Sequence, residues 1–395
     1  MRLPKGFLAS GVRAGLRKTR RDVALIVAEK GANAAAIFTK NRFQAAPVVL
    51  SKSGLAKSGG RVKAVVVNSG CANAATGAAG LAAARRVRAR AADLVGCPVE
   101  EVFVASTGVI GAALPDAKIR GALPDALRRL SASGLSAAAQ AILTTDVGPK
   151  VSQARFRAGD RRGRIVGFAK GAGMIHPDMA TMLAFVMTDA AATPAFLKRA
   201  LLCAAESSFN GISVDGDTST NDTVLVMASG ALGNVPLDGG EGCEETEFER
   251  ALTSVCRELA WMMVRDGEGA TRVMEIRITG ARSAREAGLA AHAVATSPLV
   301  KTALHGGDPN WGRILAAVGR SGARFSARKV TLSVGRLTLV SKGMITKYRE
   351  KDAARLFSKE LVPVTVDLGA GSSTATKLSC DLGHDYVSVN ADYRS

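Results

Sequence analysis

Aromatic residues make up only 4% of the 395-residue sequence, with two tryptophans and three tyrosines. That scarcity argues against the base-stacking surfaces of RNA- and single-strand-binding proteins. Cysteine is sparse as well: six residues, none in a CxxC pair. A disulfide framework is therefore not expected, and the thiols read as buried or inert in a reducing compartment. The four histidines (His176, His292, His305 and His384) are far apart and show no HxxxH spacing, so no metal site is expected. No uncharged apolar run approaches the ~20 residues that span a bilayer. A P-loop is missing, and no G-x-G-x-x-G follows a strand, which leaves nucleotide binding without support. The Arg-rich start, Met1 to Asp22, lacks the apolar stretch of a secretory signal, and a cytoplasmic location is expected.

What is present is an ordinary globular composition with an unusual charge. Hydrophobic residues are 47% and charged residues 22%, close to soluble averages. The length suggests about two or three domains, with a core large enough to need neither disulfide nor metal. Net charge is +19, a figure that on its own suggests a nucleic-acid or membrane-surface partner. Residues 1–180 carry 29 Lys and Arg against 10 Asp and Glu, so the whole excess lies there. With no recognition motif and few aromatics, the bland alternative is a solvated basic surface.

Short β-rich runs alternate with Ala-rich helical stretches along the chain. Asp22–Glu29 and Ala34–Thr39 read as two strands around a turn at residues 30–33. Val62–Asn68 and Val102–Ala105 read as buried strands, the second running into a Ser-Thr-Gly turn. Pro194–Phe209 and Glu244–Val264 have helical spacing, with Thr193 as an N-cap. Tyr386–Val389 alternates like a final strand. The pattern predicts an α+β protein: a layered α/β sandwich main domain over 1–285 and a smaller C-terminal α/β domain over 286–395, with the boundary in residues 280–290.

The most informative stretch is Lys170-Gly171-Ala172-Gly173-Met174-Ile175-His176-Pro177-Asp178-Met179-Ala180-Thr181. On spacing alone a glycine-rich loop entering a strand accounts for it. Other segments stand beside it in order: Pro4-Lys5-Gly6-Phe7, Asn68-Ser69-Gly70, Ser106-Thr107-Gly108-Val109, Thr144-Thr145-Asp146, the run 214–223, Asp266-Gly267-Glu268-Gly269, Asp308-Pro309-Asn310-Trp311-Gly312-Arg313 and Asn390-Ala391-Asp392-Tyr393-Arg394-Ser395. Taken together, over nearly the whole chain, they resemble the glutamate N-acetyltransferase family of arginine biosynthesis, also called ornithine acetyltransferases.

The resemblance implies that the precursor cleaves itself at Ala180–Thr181 and that Thr181 is the nucleophile. The chemistry suits that role. A hydroxyl is a weak nucleophile without an adjacent base, and a freed α-amine has a reference pKa of about 7.7–8.0. The resemblance also implies an oxyanion hole at Thr107 and Gly108, where sequence alone reads as a β-turn. It places substrate contacts at Thr144, Lys170, Thr181, Glu268, Asn390 and Ser395, the last being commonly Thr in the family. It implies transfer of acetyl from N2-acetyl-L-ornithine to L-glutamate, with no cofactor, and acetyl-CoA as a second donor in two-function members. Its partners would be its own two cleaved chains, in two copies each, with no nucleic acid and no membrane. A related group of self-cleaving aminopeptidases offers hydrolysis as the alternative. The runs 214–223 and 308–313 receive no role; turn chemistry is the expectation for the first and packing of domains or subunits for the second.

Overall fold

The computed structural model describes residues 1–176, 182–239 and 243–392, with the backbone alone at 243–245. The chain divides into two compact units. One comprises Met1–Asn210 and Asp217–Met263; the other comprises Gly211–Gly216 and residues 264–392.

The first unit is built on one sheet. Its strands are β1 (Phe7–Val12), β2 (Val23–Phe38), β3 (Arg61–Cys71), β4 (Val102–Val109), β5 (Lys150–Ala158), β6 (Arg161–Lys170) and β7 (Leu183–Thr188). A two-residue strand of the other unit, β8 (Ile212–Ser213), intervenes before β9 (Thr223–Ala228). The order is β4-β3-β2-β9-β7-β6-β5, with β1 added antiparallel to β2. Side-chain alternation along β2 feeds two cores. Ala24, Ile26 and Ala28 join Phe103, Phe168 and Phe185 with the helix Leu135–Ala141. Val23, Leu25 and Val27 pack on the opposite face with the helices Gly77–Val95 and Asp116–Arg128. Helices on both faces of a sheet buried along its length give the layered arrangement expected, because each strand can shed water from two sides.

The second unit has its own sheet, β13-β12-β11-β14-β10-β15-β8. These strands are β10 (Val273–Ala281), β11 (Thr331–Val334), β12 (Leu337–Ser341), β13 (Met344–Ile345), β14 (Leu361–Asp367) and β15 (Ser373–Cys380). The helices Ala284–Ala295, Pro298–His305 and Trp311–Gly319 complete its core through Ala291, Val294, Leu304 and Ile314. The fold class is α+β, as expected.

Three expectations about elements are corrected. The turn at 30–33 does not form; β2 is one 16-residue strand whose register slips between Val27 and Ala32. Gly31 sits there at φ +77, so the turn-like Lys30-Gly31 pair makes a bulge rather than a hairpin. Tyr386–Val389 lies in a helix, His384–Asp392, not a strand. Its alternation had no sheet face to serve, and none of this helix's residues is buried. The boundary expected at 280–290 falls after Met263 instead, because β10 pairs with β14 and β15 and so belongs to the second sheet.

Candidate active site

Thr107 stands near the end of β4, and Lys170 ends β6. Both side chains are buried, and Lys170 Nζ donates to Thr107 Oγ1 at 3.5 Å. The turn after the helix Leu135–Ala141 supplies Thr144 and Asp146, also buried. Asp146 is the hub of this group. One oxygen accepts from Lys150 Nζ and from the Gly171 N–H, each at 2.7 Å. The other accepts from the Thr144 N–H at 3.0 Å and lies 3.9 Å from Lys170 Nζ. Burial would raise the Asp146 pKa, but the charges of Lys170 and Lys150 and the Lys150 hydrogen bond outweigh it, so the carboxyl is held well below its usual range. Asp146 is thus an anion that fixes Lys170, Thr144 and the start of the Gly171-Ala172-Gly173 segment. Arg17 supports the same turn, donating to the carbonyls of Leu143 and Thr144.

Gly108 follows Thr107 with φ +130, and a Cβ there would meet the Gly70 carbonyl carbon at 2.4 Å. Only glycine fits this close approach of β4 to β3. Asn221 ties the same corner, its amide donating to the Ala72 and Ser106 carbonyls at 2.7 and 2.8 Å. A threonine hydroxyl and a glycine N–H stand here at a strand end beside a buried ammonium, groups of the kind that can donate to an oxyanion.

The chain that leads into β7 is held by the next residue along, Asp222. Asp222 Oδ1 accepts the Met182 N–H at 3.0 Å, and the Thr223 N–H donates to the Met182 carbonyl at 3.0 Å. Asp222 is fully buried. Burial drives its carboxyl pKa well above the usual range; the Met182 N–H and the nearby Lys170 charge offset this only in part. The two buried carboxyl groups around Lys170 are therefore pushed in opposite directions.

In the second unit, Asn390 Nδ2 donates to Glu268 Oε2 at 2.8 Å, from an exposed side chain to a half-buried one. So the structure brings Thr107, Gly108, Thr144 and Lys170 together in one unit and Glu268 and Asn390 together in the other. Ala180, Thr181 and Ser395 lie outside the described residues. The segment 308–313, expected to pack domains or subunits, does local work: Asn310 caps the helix Trp311–Gly319 by accepting from the Arg313 N–H at 3.2 Å. Asp146, Lys150, Asn221 and Asp222 were missed as site residues. The signal available was a cluster of charged and amide side chains directly beside wholly apolar strands, where only burial with partners is tolerable.

The sequence model of the ArgJ family matches residues 8–395. The arginine biosynthesis bifunctional protein ArgJ of Chlorobaculum tepidum is 46% identical over 392 residues, covering 99% of this chain and 96% of its own. The chain belongs to the ArgJ family. Its namesake from Nitratidesulfovibrio vulgaris is 47% identical over 397 residues, covering 99% of both chains. The crystal structure of the arginine biosynthesis bifunctional protein ArgJ from Bacillus halodurans is 40% identical with a TM-score of 0.51, over 53% of this chain and 98% of that one. Membership agrees with the activity class expected from the motifs, and this ArgJ-family chain is an acetyltransferase of arginine biosynthesis.

Proposed function

We propose that the enzyme moves the acetyl group of N2-acetyl-L-ornithine to L-glutamate through an acetyl ester on Thr181, after self-cleavage at Ala180–Thr181. In processing, the Thr181 hydroxyl attacks the Ala180 carbonyl carbon, the C–N bond breaks, and the nitrogen takes the proton to become the free amine. Water then opens the ester. In the transfer cycle that amine accepts the hydroxyl proton as Oγ attacks the acetamide carbonyl, and returns it to the departing ornithine amine. Glutamate attacks the ester by the reverse path. Thr107 Oγ1 and the Gly108 N–H would face the oxyanion. Removing one such donor typically costs ~10²–10³ in rate. Lys170 would hold the substrate α-carboxylate with Thr144 near it, and Glu268 would take the ornithine ammonium, with Asn390 and Ser395 as further substrate contacts.

The observation that carries this reading is the buried Lys170–Thr107–Asp146–Thr144 cluster beside Gly108, at the sheet end from which the chain enters β7 just after Thr181. The word bifunctional in the relatives' names supports acetyl-CoA as a second donor to glutamate. Two copies of each cleaved chain would assemble. Thr181→Ala tests the proposal: it is expected to stay a single 40.8 kDa chain and to lose transfer. Transfer at a wild-type rate by the uncleaved variant would overturn it.

A further inference from the structure

Asp222 belongs to none of the substrate contacts, yet its setting is peculiar. Its carboxyl is fully buried, and Oδ2 has no hydrogen-bond partner among the described residues. An unsatisfied buried polar atom costs about 1–3 kcal/mol, and native folds keep few of them. The nearby Ser219 and Thr39 hydroxyls temper the carboxyl only slightly; Thr39 Oγ1 donates to the Ser219 carbonyl at 2.6 Å, Ser219 Oγ accepts from the Asn221 N–H at 3.0 Å, and Asn221 binds the β3–β4 corner. What Asp222 does with its other oxygen is specific. Oδ1 takes the Met182 N–H at 3.0 Å, and the following residue, Thr223, gives its N–H to the Met182 carbonyl. Met182 is therefore gripped through both backbone polar groups, one position after Thr181. From Leu183↔Thr223 onward the parallel β7–β9 ladder proceeds without such help.

Covalent geometry gives that grip its reach. The Met182 N–H and the Thr181 Cα lie in one planar peptide unit. A carboxyl that fixes the N–H direction fixes the plane carrying the Thr181 Cα. Only rotations within Thr181 then remain to aim its hydroxyl.

Resting on Thr181 as the nucleophile, we propose that Asp222 is its positioning residue, acting through Oδ1 on the Met182 N–H in both self-cleavage and acetyl transfer. The role needs an acceptor in a rigid place, not a negative charge, and burial pushes the carboxyl pKa well above its usual range. A misplacement of about 1 Å in a reacting group can cost ~10² in rate.

The experiment compares Asp222→Leu, apolar and of similar size, with Asp222→Asn, which keeps the acceptor. Self-cleavage is followed by mass on freshly made chain, and kcat and KM for N-acetylornithine are measured on fully cleaved material, with melting temperature as the check of folding. Asp222→Leu is expected to slow cleavage and kcat about 100-fold while KM stays within about threefold. Asp222→Asn is expected to recover both rates to within about tenfold of wild type. If the leucine variant does not fold, Asp222→Ala takes its place with the same expectations. Wild-type cleavage and kcat in Asp222→Leu would overturn the proposal, and so would equal defects in the Leu and Asn variants. Thr181→Ala separates the two readings. Activity in that variant would remove the nucleophile itself, whereas an inert Asp222 beside an inactive Thr181→Ala would remove only the positioning role.

Discussion

Asp146 and Asp222 are chemically identical residues with opposite environments, and both tune the surroundings of Lys170. Asp146 is ionised because two buried ammoniums hold it there. Its folded pKa is depressed, so its contribution to stability is complete above an unfolded carboxyl pKa of about 3.9 and is lost as pH falls through the lower folded value. Asp222 has a raised pKa, so its contribution runs the other way and fades as pH rises above about 4. Replacing Asp146 with Asn leaves Lys150 and Lys170 buried without their carboxylate, a loss of about 3–5 kcal/mol. The expected outcome is a melting temperature well below wild type throughout pH 7 to 4, with the gap narrowing only as the pH falls further. An Asp146→Asn protein that melts with wild type across that range would contradict the assigned charge. The motifs named Thr107, Thr144 and Lys170, because their order along the chain is distinctive. Asp146 and Asp222 were harder to read, since their roles arise from strands far apart in sequence: Asp146 meets Gly171, and Asp222 meets Met182.

At the scale of elements, the site depends on how closely β3 and β4 approach at their ends. The register shifts at Gly70 and Cys71, and Gly108 fills the space with no side chain. Gly108→Ala would force a Cβ against backbone and strain the φ +130 conformation, at about 1–3 kcal/mol. It is expected to lower kcat at least tenfold, because the displaced N–H is the group that would face the oxyanion; unchanged kcat would place the oxyanion elsewhere. The buried strands were legible as apolar runs. β5 and β15 were not, since exposed polar side chains at every second position break the apolar signal (Gln153, Arg155 and Arg157; Thr374 and Thr376). The helix His384–Asp392 was misread because Val387 and Val389 alternate with the polar Ser388 and Asn390. Its fold-level evidence is instead a spacing of four, with Asn390 Nδ2 donating to the Tyr386 carbonyl at 3.0 Å.

For the whole molecule, the net charge of +19 changes meaning. It lies in residues 1–180, where 29 basic side chains face 10 acidic ones, and the proposed cut falls after Ala180. Cleavage would leave a strongly basic chain beside one of zero net charge. Several of these arginines lie on the helices Gly77–Val95 and Asp116–Arg128 with their own side chains exposed, in ion pairs such as Arg86–Asp116 and Arg128–Asp125, the solvated face that the low aromatic content already favoured. The central claim, a covalent acetyl group on the second chain, is tested most directly by intact mass. Purified enzyme is mixed with N2-acetyl-L-ornithine, without glutamate, and quenched in acid. The account predicts two chains, with one acetyl adduct on the chain that begins at Thr181 and none on residues 1–180, the adduct disappearing when glutamate is added. An adduct on the first chain, or full activity from a single uncleaved chain, would contradict it.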